Sequence, residues 1–296
     1  MPMTAEAFAP AKVNLTLHVT GKRPDGKHLL DSLVGFANVG DVVTVTPDAR
    51  SGVTVSGPEA AGVPTDDSNL VAKVAAAFWP AEPLQIHLLK NLPVASGIGG
   101  GSADAAACFR AICQLGGTRE GARAMRSLLS LGADIPMCVR SAPARIRGIG
   151  EEVALLNALP NLPIVLVNPR VEVSTAAVFA ALDQTDNPPM KDLPHDLSDH
   201  VALIHWLKRQ RNDLQSAAIN LAPEISQVLN HISATPDCQL ARMSGSGATC
   251  FGLYGTSRQA EKAANALVAE HPDWWVEATQ LGGQDKAAAQ LIRSTT

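Results

Sequence analysis

The chain has 296 residues, 46% hydrophobic and 18% charged, with 24 Lys and Arg against 28 Asp and Glu for a net charge of −4. That apolar content fills one large core or two ordinary ones. It excludes a disordered chain and a nucleic-acid binder that works by bulk positive charge. Only 4% of residues are aromatic, Tyr254 being the single tyrosine, so recognition by repeated base stacking is excluded as well.

No apolar run reaches the roughly 18 residues of a membrane helix. Residues 1–12 show no secretory leader. The five cysteines, Cys108, Cys113, Cys138, Cys238 and Cys250, contain no C-x-x-C. They read as small core residues of a cytoplasmic protein, with no disulfide framework, no metal-ligand set and neither a nucleic-acid nor a membrane partner.

Residues 8–20 alternate Val13, Leu15, Leu17 and Val19 with polar residues, which predicts one strand, followed by a surface loop over 21–28. Strands are expected at 41–46 and 52–56, joined by a Pro-Asp turn, and at 84–89. An Ala-rich helix is expected over 69–79, stopped near Pro80. Gly97, Gly99, Gly100 and Gly101 then lead to Ser102, read as the N-cap of a helix over 103–115, and a second helix follows over about 120–131. The pattern resets within 155–163, which divides the chain into domains 1–158 and 159–296. Beyond it, a buried strand is expected at 164–167 and a breaker-rich loop at 188–194. Helices are expected at 200–210, 223–232 and 258–270, and strands at 248–254 and 274–278.

A run of glycines entering a helix is a phosphate-binding design. Glycine lets the backbone approach an anion, and the helix start supplies free N–H groups and roughly half a positive charge. The loop fits neither a Walker A sequence nor the dinucleotide fingerprint, whose third glycine is replaced by Ser102. A flexible turn capping a packed helix is the competing reading. Asp134 stands in an apolar stretch before Pro136, either capping a turn or serving a purpose that a half-buried carboxylate needs. Lys12 opens an otherwise uncharged strand, either solvated or functional. The small-residue loop 243–247 is a second donor cradle or a tight turn.

Together and in this order, Pro10-Ala-Lys-Val-Asn14-Leu, Pro93-x3-Gly97-Ile-Gly-Gly-Gly-Ser102-Ala-Asp-Ala-Ala and Met243-Ser-Gly-Ser-Gly-Ala248 resemble the three motifs of the GHMP kinases. These small-molecule kinases are named for galactose, homoserine, mevalonate and phosphomevalonate. The likeness spans residues 8 to 280. Pro24-Asp-Gly-Lys-His28 and Leu131-Gly-Ala-Asp134-Ile-Pro136 resemble the branch acting on 4-diphosphocytidyl-2-C-methyl-D-erythritol in non-mevalonate isoprenoid synthesis.

The resemblance implies a two-domain α+β, GHMP kinase-like fold with the active site in the inter-domain cleft. It implies transfer of the ATP γ-phosphoryl group, with Mg2+, to the 2-position hydroxyl of that small-molecule substrate. By the same likeness, Pro93, Gly97, Gly99, Gly100, Gly101 and Ser102 wrap the ATP phosphates, and Asn69, Leu70 and Lys90 lie near the adenine. Asp134 is similar in place to the catalytic base, with Lys12 beside it and Asn14 near the substrate. His28 matches a residue that reads the cytosine edge, and Phe179 an aromatic that stacks on the base. Asp104 is expected to favour the helix dipole or to help hold magnesium. Lys27 departs from the pattern, standing where the family places a tyrosine that stacks on cytosine. The alternatives are a GHMP-type kinase with another alcohol substrate and a non-catalytic nucleotide-binding homologue.

Overall fold

Strand β1 (Met3–Asn14) alternates between core and surface over its first half and is buried throughout its second. The computed structural model describes residues 3–48, 51–80, 82–156, 159–282 and 289–293. The expected strand over 8–20 divides in two, because the chain turns aside after Asn14 and resumes as β2 (His18–Lys22). The four alternating side chains stay buried across the break. Backbone bonding changes partner there: the Leu15 amide donates to Leu33 and the Leu17 amide to Arg211.

Strand β3 (His28–Pro47) is 20 residues long and organises the sheet. Its early residues pair with β2 and with β6 (Ala144–Gly148), and its later residues pair with β1 and with β5 (Leu84–Leu89). β4 (Gly52–Ser56) lies parallel on the far side of β5, so the two strands expected to be joined by a Pro-Asp turn are not neighbours in the sheet. β7 (Glu152–Leu155) pairs with β6. β8 (Leu162–Asn168), β9 (Leu240–Met243), β10 (Cys250–Leu253), β11 (Trp275–Gly282) and β12 (Gln290–Arg293) complete a sheet of 12 described strands. Its main path runs β12-β1-β3-β11-β8-β10-β9.

Helices α1 (Leu70–Phe78), α2 (Gly100–Gln114), α3 (Ala122–Leu131) and α4 (Ile135–Arg140) cover the first part of the sheet. Alanine dominates α2 because the helix is buried on almost every side, and small side chains let β1, β3, α1 and α4 approach it closely. Helices α5 (Thr175–Ala180), α6 (His200–Lys208), α7 (Gln215–Leu221), α8 (Glu224–Ala234) and α9 (Ser257–Glu270) belong to the second part. The short helices α4, α5 and α7 and the strands β6, β7, β9 and β12 were not legible in the sequence pattern.

The division expected between residues 158 and 159 falls at residues 157 and 158, which lie outside the described residues. On either side of it the sheet is continuous. One apolar cluster joins Ala11, Val13, Leu15 and Leu33 to Leu162, Ile164, Leu203 and Leu281. None of the described helices is long and apolar enough to cross a membrane.

Candidate active site

A cleft of about 820 Å³ opens where β1, the glycine loop and α4 meet α5 and the loop 244–247. Lys12, near the end of β1, is 7% exposed, and its Nζ donates to Asp134 Oδ2 at 2.5 Å. A solvated lysine is therefore not what the strand carries. Burial pulls the Lys12 pKa down, but the charge of Asp134 and the hydrogen bond to it outweigh burial and hold the ammonium above the ordinary lysine range. Asp134 sits at the N-cap of α4, yet its side chain makes no capping hydrogen bond. It faces Lys12 instead, half exposed to the cleft.

Two contacts fix this pair. The Lys12 amide donates to the Ile98 carbonyl at 2.9 Å, tying β1 to the glycine loop. Arg110 of α2 reaches the other end of α4, donating to the Cys138 carbonyl at 2.8 Å and to the Phe8 carbonyl of β1 at 2.7 Å. Burial lowers the Arg110 pKa to about 10, which still leaves the guanidinium charged at neutral pH.

The helix α2 starts two residues before the expected Ser102 cap. Gly99, at φ 68°, is the N-cap, and Ser102 lies in the first turn. A left-handed N-cap suits glycine, and a Cβ there would come within 3.2 Å of the Lys12 side chain. The amides of Gly100, Gly101 and Ser102 have no acceptor within the helix and open into the cleft. Gly97, at φ 74°, has the Gly247 carbonyl 2.5 Å from where a Cβ would stand. The two small-residue loops are packed against one another, and Thr249 donates its amide to the Ser96 carbonyl at 3.1 Å. The second loop is thus the packing partner of the first, and Gly245 and Ser246 also line the cleft.

Lys90 carries a second buried charge. Its Nζ is bonded to Asp41 and, at 3.0 Å, to Asp104. Asp104 is therefore buried against a lysine at the edge of the cleft, with Oδ2 bonded to Lys90 and Oδ1 without a hydrogen-bond partner. Burial and the charge of Asp41 push Asp104 well above the usual carboxylate range despite Lys90. Burial alone would lower Lys90, and the two aspartates reverse that. Asp41 also accepts the amides of Asn91 and Leu92, at 2.6 and 2.9 Å. The triad anchors the base of the glycine loop to β3 and β5.

Among the other expected residues, Asn69, Leu70 and Pro93 line the cleft. Asn69 is also the N-cap of α1: its Oδ1 accepts from Val71 and its Nδ2 donates to Pro64. Asn14 lines the cleft too, its amide donating to Ser244 Oγ at 3.0 Å and its Nδ2 to Ser32 Oγ at 2.8 Å. His28 and Phe179 come together as a stacked pair with centroids 4.8 Å apart, and Phe179 lines the cleft. His28 Nε2 is buried without a hydrogen-bond partner, and burial, helped by Lys22, lowers its pKa, so the ring is neutral near pH 7. Lys27 is exposed at the hairpin tip, its amide bonded to Asp25, and is not among the residues lining the cleft.

Sequence reasoning missed Ser32, Ser174 and Thr175, which line the cleft, Thr175 Oγ1 lying 2.8 Å from Ser246 Oγ of the second small-residue loop. It also missed the bidentate Arg145–Asp31 pair that braces β3 beside them. None of these carries a local spacing signal.

The GHMP kinases N terminal domain matches residues 69–142 and the GHMP kinases C terminal domain matches residues 190–273. The chain belongs to the GHMP kinase family. It is 53% identical to the 4-diphosphocytidyl-2-C-methyl-D-erythritol kinase of Roseobacter denitrificans, over 99% of this chain and 98% of that protein. It is 54% identical to the enzyme of that name from Dinoroseobacter shibae, over 93% and 94%. A crystal structure of 4-(cytidine 5'-diphospho)-2C-methyl-D-erythritol kinase superimposes with a TM-score of 0.77 at 32% identity, covering 94% of this chain and 100% of that one. The homoserine kinase of Cytophaga hutchinsonii, at 19% identity and a TM-score of 0.66, shares the fold.

The triad gives a direct prediction. Lys90→Met strands a buried Asp41 charge and lowers unfolding free energy by about 3–5 kcal/mol. Asp104→Asn keeps the size of the side chain and leaves Lys90 bonded to Asp41, and it lowers unfolding free energy by less than about 1.5 kcal/mol. Urea denaturation of both variants measures the difference. Equal losses would mean that Lys90 depends on Asp104 as much as on Asp41.

Proposed function

We propose that this chain transfers the γ-phosphoryl group of ATP to the 2-position hydroxyl of 4-diphosphocytidyl-2-C-methyl-D-erythritol, as the kinase of the non-mevalonate isoprenoid pathway. The observation that carries the mechanism is the Lys12–Asp134 pair standing against the glycine loop in one cleft. Phosphoryl transfer asks a protein mainly to position its reactants and to neutralise charge.

The free amides of Gly100, Gly101 and Ser102 receive the β- and γ-phosphate oxygens, with Gly97 and Gly99 allowing close approach and Pro93 shaping the entry to the loop. Asn69 and Leu70 line the adenine side, its floor made rigid by Lys90. Asp134 accepts the hydroxyl proton late in a loose transition state. Lys12 holds that carboxylate in place through a hydrogen bond and draws the γ-phosphate toward the acceptor. Phe179 supplies the one aromatic face of the cleft toward the cytosine, His28 backs that ring by stacking on it from outside the cleft lining, and Asn14 lies beside the methylerythritol.

Magnesium would accompany the nucleotide. The two carboxylates of the cleft, Asp104 and Asp134, each already hold a lysine. They do not make a protein-held magnesium site, and no step above runs through the ion. The five unpaired thiols support the cytoplasm as the compartment.

Substrate-dependent ADP release across a panel of alcohols tests the reading: turnover with the cytidyl substrate and not with homoserine or mevalonate is expected. Turnover with none of them would overturn it. Asp134→Asn is expected to lower kcat by roughly 10²–10⁴ while ATP still binds. A variant keeping a tenth or more of the wild-type rate would remove Asp134 from the role of base.

Lys27 is the observation that favours a different alcohol, because the loop lacks the expected ring. Lys27 stands exposed at the hairpin tip and does not line the cleft, so Lys27→Tyr is expected to leave KM for the cytidyl substrate within about twofold of the wild type. A KM lowered about tenfold, as a stacked base worth about 1–3 kcal/mol would give, would mean that the hairpin tip reaches the base.

A further inference from the structure

Outside the cleft, the last turn of α8 meets the end of α9. His231 comes from α8, Glu270 is the last residue of α9, and His271 is its C-cap. None of the three lines the cleft. His231 Nδ1 lies 3.3 Å from His271 Nε2 and 3.4 Å from Glu270 Oε1, and Glu270 Oε1 lies 3.9 Å from His271 Nε2. Three atoms with these separations share a centre about 2.1 Å from each. Zinc bonds to imidazole nitrogen and carboxylate oxygen at about 2.0–2.2 Å.

The imidazoles are held for this arrangement. Their rings meet edge to face, with 81° between planes, and this brings His231 Nδ1 to within 3.3 Å of His271 Nε2. The Trp274 indole stacks on His271 with centroids 3.8 Å apart and 10° between planes, and it meets His231 edge-on. Packing of this kind fixes ring orientation, as the outer shell of a metal site does. His231 and His271 are half-buried and Glu270 is exposed, so an ion can enter from solvent and keep a water.

We propose that His231, Glu270 and His271 bind one zinc-class divalent cation, with water in the fourth position. Two imidazoles and one carboxylate suit a borderline ion better than magnesium or calcium, which prefer all-oxygen sets. The ion clips α8 to α9. At its other end α8 supports the glycine-loop partner, with Ile225 packed beneath Gly247. A cation that binds only the folded chain raises its stability by mass action.

Calorimetric titration of the chelator-treated full chain with zinc chloride tests the site, alongside His231→Gln, His271→Gln and Glu270→Gln. One zinc per chain is expected in the wild type, weakened by about tenfold or more in each histidine variant. Zinc should raise Tm of the wild type and not of the histidine variants, while kinase turnover of all three variants matches the wild type. No saturable zinc binding in the wild type, or binding unchanged in both histidine variants, would overturn the proposal. Glu270→Gln, a substitution of an exposed side chain, reports on the site even if a histidine variant fails to fold.

Discussion

Lys12 and Asp134 are 122 residues apart in the chain and 2.5 Å apart in space, and most of the architecture around the cleft serves to keep them so. A buried lysine is tolerated only beside an opposite charge, so wherever β1 delivers Lys12 a carboxylate has to follow. The fold meets that demand with a short helix whose position is set from behind. Arg110 crosses from α2 to the carbonyls of α4 and of β1 at once, which makes the distance between those elements a property of one side chain. The same strand is bonded to the glycine loop through the Lys12 amide, so phosphate cradle, ammonium and carboxylate share one rigid frame.

The molecule holds a second buried lysine in a contrasting way. Lys90 has two aspartates, both buried, and its ammonium belongs to the support of the glycine loop. Lys12 has one aspartate, and that partner is half exposed to the cleft. The difference in partners separates a charge that stiffens the scaffold from a charge that remains available to an incoming phosphate.

Much of this was legible wherever the signal is local. The glycines at 97, 99, 100 and 101 lie within one turn of backbone, α1, β5 and α9 carry periodicity, and β8 is a continuous apolar run after a proline-rich break, so loop and elements could be placed within a few residues. Ser102 misled because serine is a strong cap by composition, whereas the helix starts at a left-handed Gly99 that is selected by the closeness of Lys12. Asp104 read as a helix-start acid because its partner Lys90 comes from another element. The strand over 8–20 read as continuous because side-chain alternation survives a break in which only the backbone partners change. Arg110, the Arg145–Asp31 pair and the interlocked loops at 97 and 247 depend on contacts between distant segments, for which a single sequence has no period to show. The histidine pair on α8 and α9 escaped notice for the same reason.

The central claim is that Lys12 and Asp134 act as one unit, and a double-mutant cycle on kcat with the cytidyl substrate tests it most directly. Lys12→Met, Asp134→Asn and the combined variant are compared under saturating ATP. If the pair is a unit, the double variant is no slower than the slower single variant, because each loss already removes the shared function. Losses that multiply in the double variant would show two independent residues and contradict the account.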